Sequence, residues 1–160
     1  MTRDKLEIYS DSDHAGDKLH TMKSHTGSMI ILNGAPIQWV SKKQIASTAY
    51  SSAMAEIYAL SETVRVARSV AWRLEELNML VQYPLVVKVD NKQSKTFQEG
   101  TCINSRLRGV VDMREAWVKE LRDLAHVMVQ WVPQHTNKAD LLTKCFPNWI
   151  YQARKKLISG

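Results

Sequence analysis

Four acidic residues of this chain, Asp11, Glu56, Asp90 and Asp140, fall where strands end or helices begin, places that hold a side chain rigidly yet leave it open to solvent. Asp11 follows the alternating stretch Leu6, Ile8, Ser10, and Asp90 ends the apolar run Leu85 to Val89. If those two strands are parallel neighbours, both carboxylates emerge at the same edge of a sheet. Glu56 lies near the start of a long amphipathic stretch, on the flank of its apolar stripe and one turn before Leu60. A lone carboxylate there is costly to desolvate unless it is paired or bound to metal. Asp140 sits within "HTNKADLLTK", at or near the first turn of a helix. Converging carboxylates repel one another, and the field they leave is neutralised by hard divalent cations; Mg²⁺ suits a few carboxylate oxygens supplemented by water and phosphate oxygens. Two such ions about 3.5–4 Å apart activate a water on one side of a phosphodiester and stabilise the leaving oxygen on the other. The chemistry open to this set is phosphodiester hydrolysis without a covalent intermediate.

Three of the acids also fit a plainer duty, whereas Glu56, bordering the buried face of its helix, is harder to dismiss. Asp11 could cap the turn "DSDHAGD", Asp90-Asn91 could start a helix, and Asp140 could complement a helix dipole. The stretch from Asp11 to Gly16 imitates the opening of a calcium-binding loop, but Ala15 occupies a ligand position and Met22 stands where the closing glutamate belongs.

The elements that must position these acids are legible as periodicities. Leu6, Ile8 and Ser10 alternate with Glu7 and Tyr9 in a strand ending at Asp11. Gly27 to Leu32 and Pro36 to Val40 flank Asn33-Gly34, a dipeptide that tolerates positive φ, and so predict an antiparallel hairpin. Between Ala49 and Leu77, the residues Ala53, Ile57, Leu60, Val64, Ala67, Ala71 and Leu74 recur at the period of one helix face. A strand over Leu85 to Val89 enters a short polar helix at Asn91. A further helix carries Val110, Met113, Trp117, Leu121 and Leu124, and a last strand, Val127, Val129, Trp131, stops at Pro133. The order β-β-β-α-β-α-α-β-α predicts an α/β fold with a five-stranded mixed sheet, three strands antiparallel and then two parallel, flanked by helices.

A chain of 160 residues, 44% hydrophobic, can bury one sizeable core. One domain over 1–160 is expected, its core from about Lys5 to Phe146, followed by a tail or short helix over 147–160 that packs on the domain or on a partner. Cys102 and Cys145 form neither a CxxC pair nor a zinc-spaced cluster, which excludes a zinc module and fits a reducing compartment. No apolar run is long enough to span a bilayer, so a soluble, cytoplasmic protein without membrane contact is expected. The net charge of +6 favours an anionic partner.

Acids in the order Asp, Glu, Asp, Asp, on strand, helix, strand and final helix, resemble those of the ribonuclease H family. The segments "YSDSDHAGD", "NGAPIQWVSKKQ", "SSAMAEIYALSE", "KVDNKQS" and "WVPQHTNKADLLTK" look like the successive blocks of the ribonuclease H region of copia-type LTR retrotransposon polyproteins, colinear from about Tyr9 to Lys144. The resemblance implies that Asp11, Glu56, Asp90 and Asp140 bind two Mg²⁺ ions, with Mn²⁺ as a substitute. The activity it implies is endonucleolytic cleavage of the RNA strand of RNA·DNA hybrids during reverse transcription, leaving a 5′-phosphate and a 3′-hydroxyl. Asp13 is the rival of Asp11 within "DSD". His135 matches a loop histidine that assists product release or proton transfer in cellular members, and it serves equally as an exposed histidine without duty. The expected partners are the hybrid and the reverse transcriptase portion of the same polyprotein, within cytoplasmic virus-like particles. His14, Met54 and Gly109 depart from the commoner wording of the family, away from the four carboxylates.

For the hybrid, small polar groups that reach 2′-hydroxyls in the minor groove are the expected contacts: Ser12, Ser51, Ser52, Asn91 and Gln93. Ser51 and Ser52 serve equally well as a helix start. Lys42, Lys43, Arg106, Arg108 and Arg114 are candidate phosphate contacts or a solvated face. The short span between Asp90 and Trp117 leaves no room for an extra basic helix, so the lone domain should bind hybrid weakly. Two rival functions stand beside this one. An integrase or transposase orders its acids Asp, Asp, Glu, unlike this chain. A catalytically weak or inactive module, kept as a structural or nucleic-acid-binding partner of reverse transcriptase, is countered by the presence of all four acids.

Overall fold

The computed structural model describes residues 4–13, 23–44, 52–91, 110–144 and 147–159. Five strands, β1 (Leu6–Asp13), β2 (His25–Leu32), β3 (Ala35–Lys43), β4 (Leu85–Val89) and β5 (Val127–Trp131), form one sheet in the order β3-β2-β1-β4-β5. β1 pairs antiparallel with β2 and parallel with β4; β2 and β3 are antiparallel, β4 and β5 parallel. The expected five-stranded mixed sheet is therefore present. Asn33 and Gly34 both hold positive φ, +50° and +90°, and turn β2 into β3 as the dipeptide predicted. β1 and β3 run beyond their expected ends at Asp11 and Val40, because strand pairing with β2 continues past the point where the apolar alternation stops.

Helix α1 (Ser52–Glu76) crosses one face of the sheet. Its stripe Ile57, Leu60, Val64, Ala67, Ala71 and Leu74 is buried as expected, against Ile8 and Ile30, Leu85, Val87 and Val89, and Val127 and Val129. Helix α2 (Val110–Asp123) packs on α1 and corrects one reading. Met113 is 78% exposed and Leu124 59% exposed, while Val118 and Leu121 are buried. The inward face of α2 begins one residue round, at Arg114, whose guanidinium donates to Ser61 Oγ at 3.0 Å and stacks 4.4 Å from the Tyr58 ring centre. A polar contact thus takes the place expected for methionine.

The other face of the sheet carries a smaller cluster of Tyr9, Met29, Ile31 and Ala139, joined by Leu142 and Ile158. Ile158 belongs to α3 (Asn148–Ser159), so the segment expected as a tail or short helix is a helix, and it packs on this cluster of the domain. Between β5 and α3 the chain makes two short 3-10 turns, Gln134–Thr136 and Lys138–Leu142, in place of a regular helix around Asp140. The short helix expected after Asn91, and both cysteines, lie outside the described residues.

Candidate metal centre

Parallel pairing of β1 with β4 sets the first two acids. The register matches Tyr9 with Lys88; carried two residues on, it places Asp11 opposite Asp90, at the sheet edge the sequence reading required. Asp140 comes to the same edge on the Lys138–Leu142 turn. That turn is tied down by Asn137, whose side chain accepts from the Ala139 N–H at 3.1 Å and donates to the Ser10 carbonyl at 2.9 Å. Ser41 Oγ donates to the Leu142 carbonyl at 2.6 Å, and Lys138 reaches over the Tyr9 ring. The close approach depends on Gly27: a Cβ there would lie 2.6 Å from Thr143 Cγ2 and 2.8 Å from the Ala139 carbonyl oxygen.

As a result, carboxylate oxygens of Asp11, Asp90 and Asp140 lie within 4.8 Å of one another. Oxygens on one Mg²⁺ at about 2.0–2.1 Å stand about 2.9 Å apart when adjacent and about 4.2 Å when opposite, so the donor set fits a hard divalent ion after a contraction of up to about 2 Å. Asp11 and Asp140 are almost wholly buried, and Asp90 is half-buried. Asp13 remains outside this group.

Glu56 approaches from α1, the opposite face of the sheet, and is not within the group of three. It is coupled electrostatically to two of them, Asp11 and Asp90. Burial, reinforced by the charge of Asp11, pushes Glu56 up to about 8; Ser12 opposes the rise, and the smaller influences of Asp90 and Lys144 add to it and oppose it respectively. Ser12 Oγ makes no hydrogen bond of normal geometry, so its influence on Glu56 is that of a nearby dipole. Asp11 is raised to about 6, again chiefly by burial, with Asp90 adding to the rise; Lys144 and the Thr143 hydroxyl oppose it. Thr143 donates to Asp11, and Lys144 forms an ion pair with Asp140 while standing 3.8 Å from Asp11. Carboxyl groups that resist ionisation when alone are the ones a divalent cation stabilises most.

The remaining candidates scatter. His135 is exposed in the Gln134–Thr136 turn, and its side chain has no hydrogen bond or ion pair with a described residue. Ser12 is buried close enough to Glu56 to act on it, whereas Ser52 is exposed at the start of α1 and Asn91 is half-buried next to Asp90. Lys42, Lys43 and Arg114 line one groove together with Tyr58 and Glu62, and Lys42 is neutralised by Glu62 at 2.6 Å. Ser51, Gln93, Arg106 and Arg108 lie outside the described residues. Sequence reasoning did not single out Gly27, Asn137, Thr143 or Lys144. The last three were on view inside "HTNKADLLTK", where asparagine before a turn and a lysine four residues after an aspartate were the available signals.

The sheet order, the crossing helix and the acid-bearing edge define the ribonuclease H fold. LC11-RNase H1, solved in complex with an RNA/DNA hybrid, superposes with a TM-score of 0.62 at 17% identity, covering 87% of this chain and 94% of that one. RNase H1 from Halobacterium salinarum NRC-1 gives 0.61 at 15%, covering 86% and 93%. In sequence the chain is related to retrovirus-related Pol polyproteins of plant transposons. It is 31% identical over 153 residues to that of transposon TNT 1-94 from Nicotiana tabacum, covering 96% of this chain and 11% of the relative. To that of transposon RE1 from Arabidopsis thaliana it is 29% identical over 148 residues, covering 92% and 10%. The chain therefore spans about a tenth of the length of these relatives. No family model matches it. The ribonuclease H resemblance read from the motifs is borne out.

Proposed function

We propose that this chain is the ribonuclease H domain of a copia-type retrotransposon polyprotein and hydrolyses the RNA strand of RNA·DNA hybrids. The observation that carries the reading is the convergence of Asp11, Asp90 and Asp140 oxygens within 4.8 Å at one sheet edge, with Glu56 coupled to Asp11 and Asp90 from the opposite face. Asp11, Asp90 and Asp140 would hold divalent ions, Mg²⁺ or Mn²⁺, with Glu56 completing the set on the α1 side. Such ions, when bound, make water a competent nucleophile near neutral pH and offset charge on the leaving oxygen. The chain's own part is positional. β1 and β4 fix two carboxylates by backbone pairing, the Asn137 clamp presents the third, and Thr143 orients Asp11 through its hydroxyl.

Binding would rest on exposed and half-buried polar groups near this edge. Exposed Ser52 and half-buried Asn91 would meet minor-groove hydroxyls, and exposed Lys43, with the half-buried Arg114 beside it, would attract phosphates along the groove beside α1. With Lys42 paired to Glu62, the described groove keeps Lys43 and Arg114 as its further cations, in keeping with weak binding by the lone domain and reliance on the adjoining reverse transcriptase. A cytoplasmic particle is the setting in keeping with this role. The test is cleavage of matched RNA·DNA, RNA·RNA and DNA·DNA duplexes with Mg²⁺ or Mn²⁺. Cleavage confined to the RNA of the hybrid, lost in chelator and in Asp90→Asn, is the expected result. Activity that survives either treatment refutes the proposal.

A further inference from the structure

Lys144 reaches into the acidic pocket. Its ammonium pairs with Asp140, one turn earlier in the chain, and stands 3.8 Å from Asp11, so it contacts the same two carboxylates that face the third acid. Both of these aspartates are almost wholly buried, whereas the lysine side chain is 28% exposed and keeps a route to solvent. A buried carboxylate pair needs a compensating charge, and here the chain supplies it. A lysine is suited to that duty, since it carries a compact charge on a flexible four-carbon stem and can move without disturbing the backbone. A divalent ion bound to the same oxygens would be repelled by an ammonium within about 4 Å. The two cations therefore exclude each other.

We propose that Lys144 is a resident counter-ion of the acidic pocket, which steadies Asp11 and Asp140 in the absence of metal, is displaced when a divalent ion enters, and so sets the affinity for that ion. The inference rests on the reading of this pocket as a divalent-ion site, and it makes Lys144 a positioning residue. Its effect is on ion affinity and on the metal-free protein, separable from turnover.

The probe is Mn²⁺, titrated by calorimetry into the whole chain, with thermal melting measured in chelator and in saturating Mn²⁺. Lys144→Met should bind Mn²⁺ roughly tenfold more tightly than the wild type, having no competing charge to expel. It should melt lower than the wild type in chelator and level with it in saturating Mn²⁺, and Lys144→Arg, which keeps the charge, should stay close to wild type in affinity. If Lys144→Met folds only once Mn²⁺ is added, the proposal stands. Unchanged or weaker Mn²⁺ binding by Lys144→Met, or a melting deficit that persists in saturating Mn²⁺, overturns the role of Lys144 and leaves the metal site intact. Absence of Mn²⁺ binding by wild type and variant alike overturns both.

Discussion

Along β1 and β2, four cross-strand pairs face α1, and they divide in the middle. At one end stand Leu6 with Leu32 and Ile8 with Ile30; at the end near the acids stand Ser10 with Ser28 and Ser12 with Thr26. Both halves are largely buried, Ile8 and Ile30 as fully as Ser10 and Ser28. Thr63 of α1 donates to Ser10 at 3.0 Å, and Gln44 bridges Thr26 and the Ala55 carbonyl, yet Ser12 and Ser28 hydroxyls and the Gln44 carbonyl oxygen find no partner. The apolar half gains free energy from every group it removes from water. The polar half gains little and leaves some groups unsatisfied. What it supplies is a narrow gap, small side chains that let α1 bring Glu56 close to the end of β1. Stability and site assembly are thus assigned to opposite ends of the same pair of strands.

The largest effect that would sharpen this division is Ile8→Ala, expected to lose about 2–5 kcal/mol in urea denaturation by opening a cavity between sheet and α1. A loss below about 1 kcal/mol would show that the apolar half is not the source of stability. Next comes the pH response of the metal-free protein. Asp11 at about 6 and Glu56 at about 8 hold protons in the folded chain that the unfolded chain has already released. Their contribution is fully present below about pH 4 and is lost as the pH rises through 6 and then 8, on the order of a few kcal/mol in all. Melting in chelator should fall between pH 5 and 9; Glu56→Gln should flatten much of that fall, and saturating Mg²⁺ should do so as well. A melting temperature that climbs over this range contradicts the assignment. Glu7 and Glu62, both lowered to about 2, lose their stabilising effect only in strong acid and leave this window clear. The smallest effect is Ser28→Ala, expected to be neutral or slightly stabilising, within about 0.5 kcal/mol, because it removes a hydroxyl with no partner. A loss above about 1 kcal/mol would mean that the polar half contributes to stability after all.

The apolar half was readable from sequence because its signals are local. The alternation of Leu6 and Ile8, the α1 stripe from Ile57 to Leu74 and the Asn33-Gly34 turn each lie within one element, and each holds in the structure. The four acids were found by position relative to those elements. Harder to see was anything set by two distant segments meeting. The rotation of α2 that turns Met113 out depends on Arg114 meeting Ser61 and Tyr58 of α1. That Glu56 approaches from the face opposite Asp140 follows from strand parity combined with the place where the 3-10 turn docks. Thr143 and Lys144 became part of the pocket only once Gly27 had let that turn settle on the sheet.

The docking of this late turn has a consequence for how the protein comes into being. Asn137 grips Ser10 across 127 residues, and Thr143 reaches Asp11 across 132. A chain emerging from the ribosome, or one cut short before the clamp, can form the hairpin and α1 yet has no third wall to its pocket. The full set of carboxylates of the proposed ion site exists only once the last stretch has arrived and closed, and fragments lacking that stretch would show neither ion uptake nor cleavage.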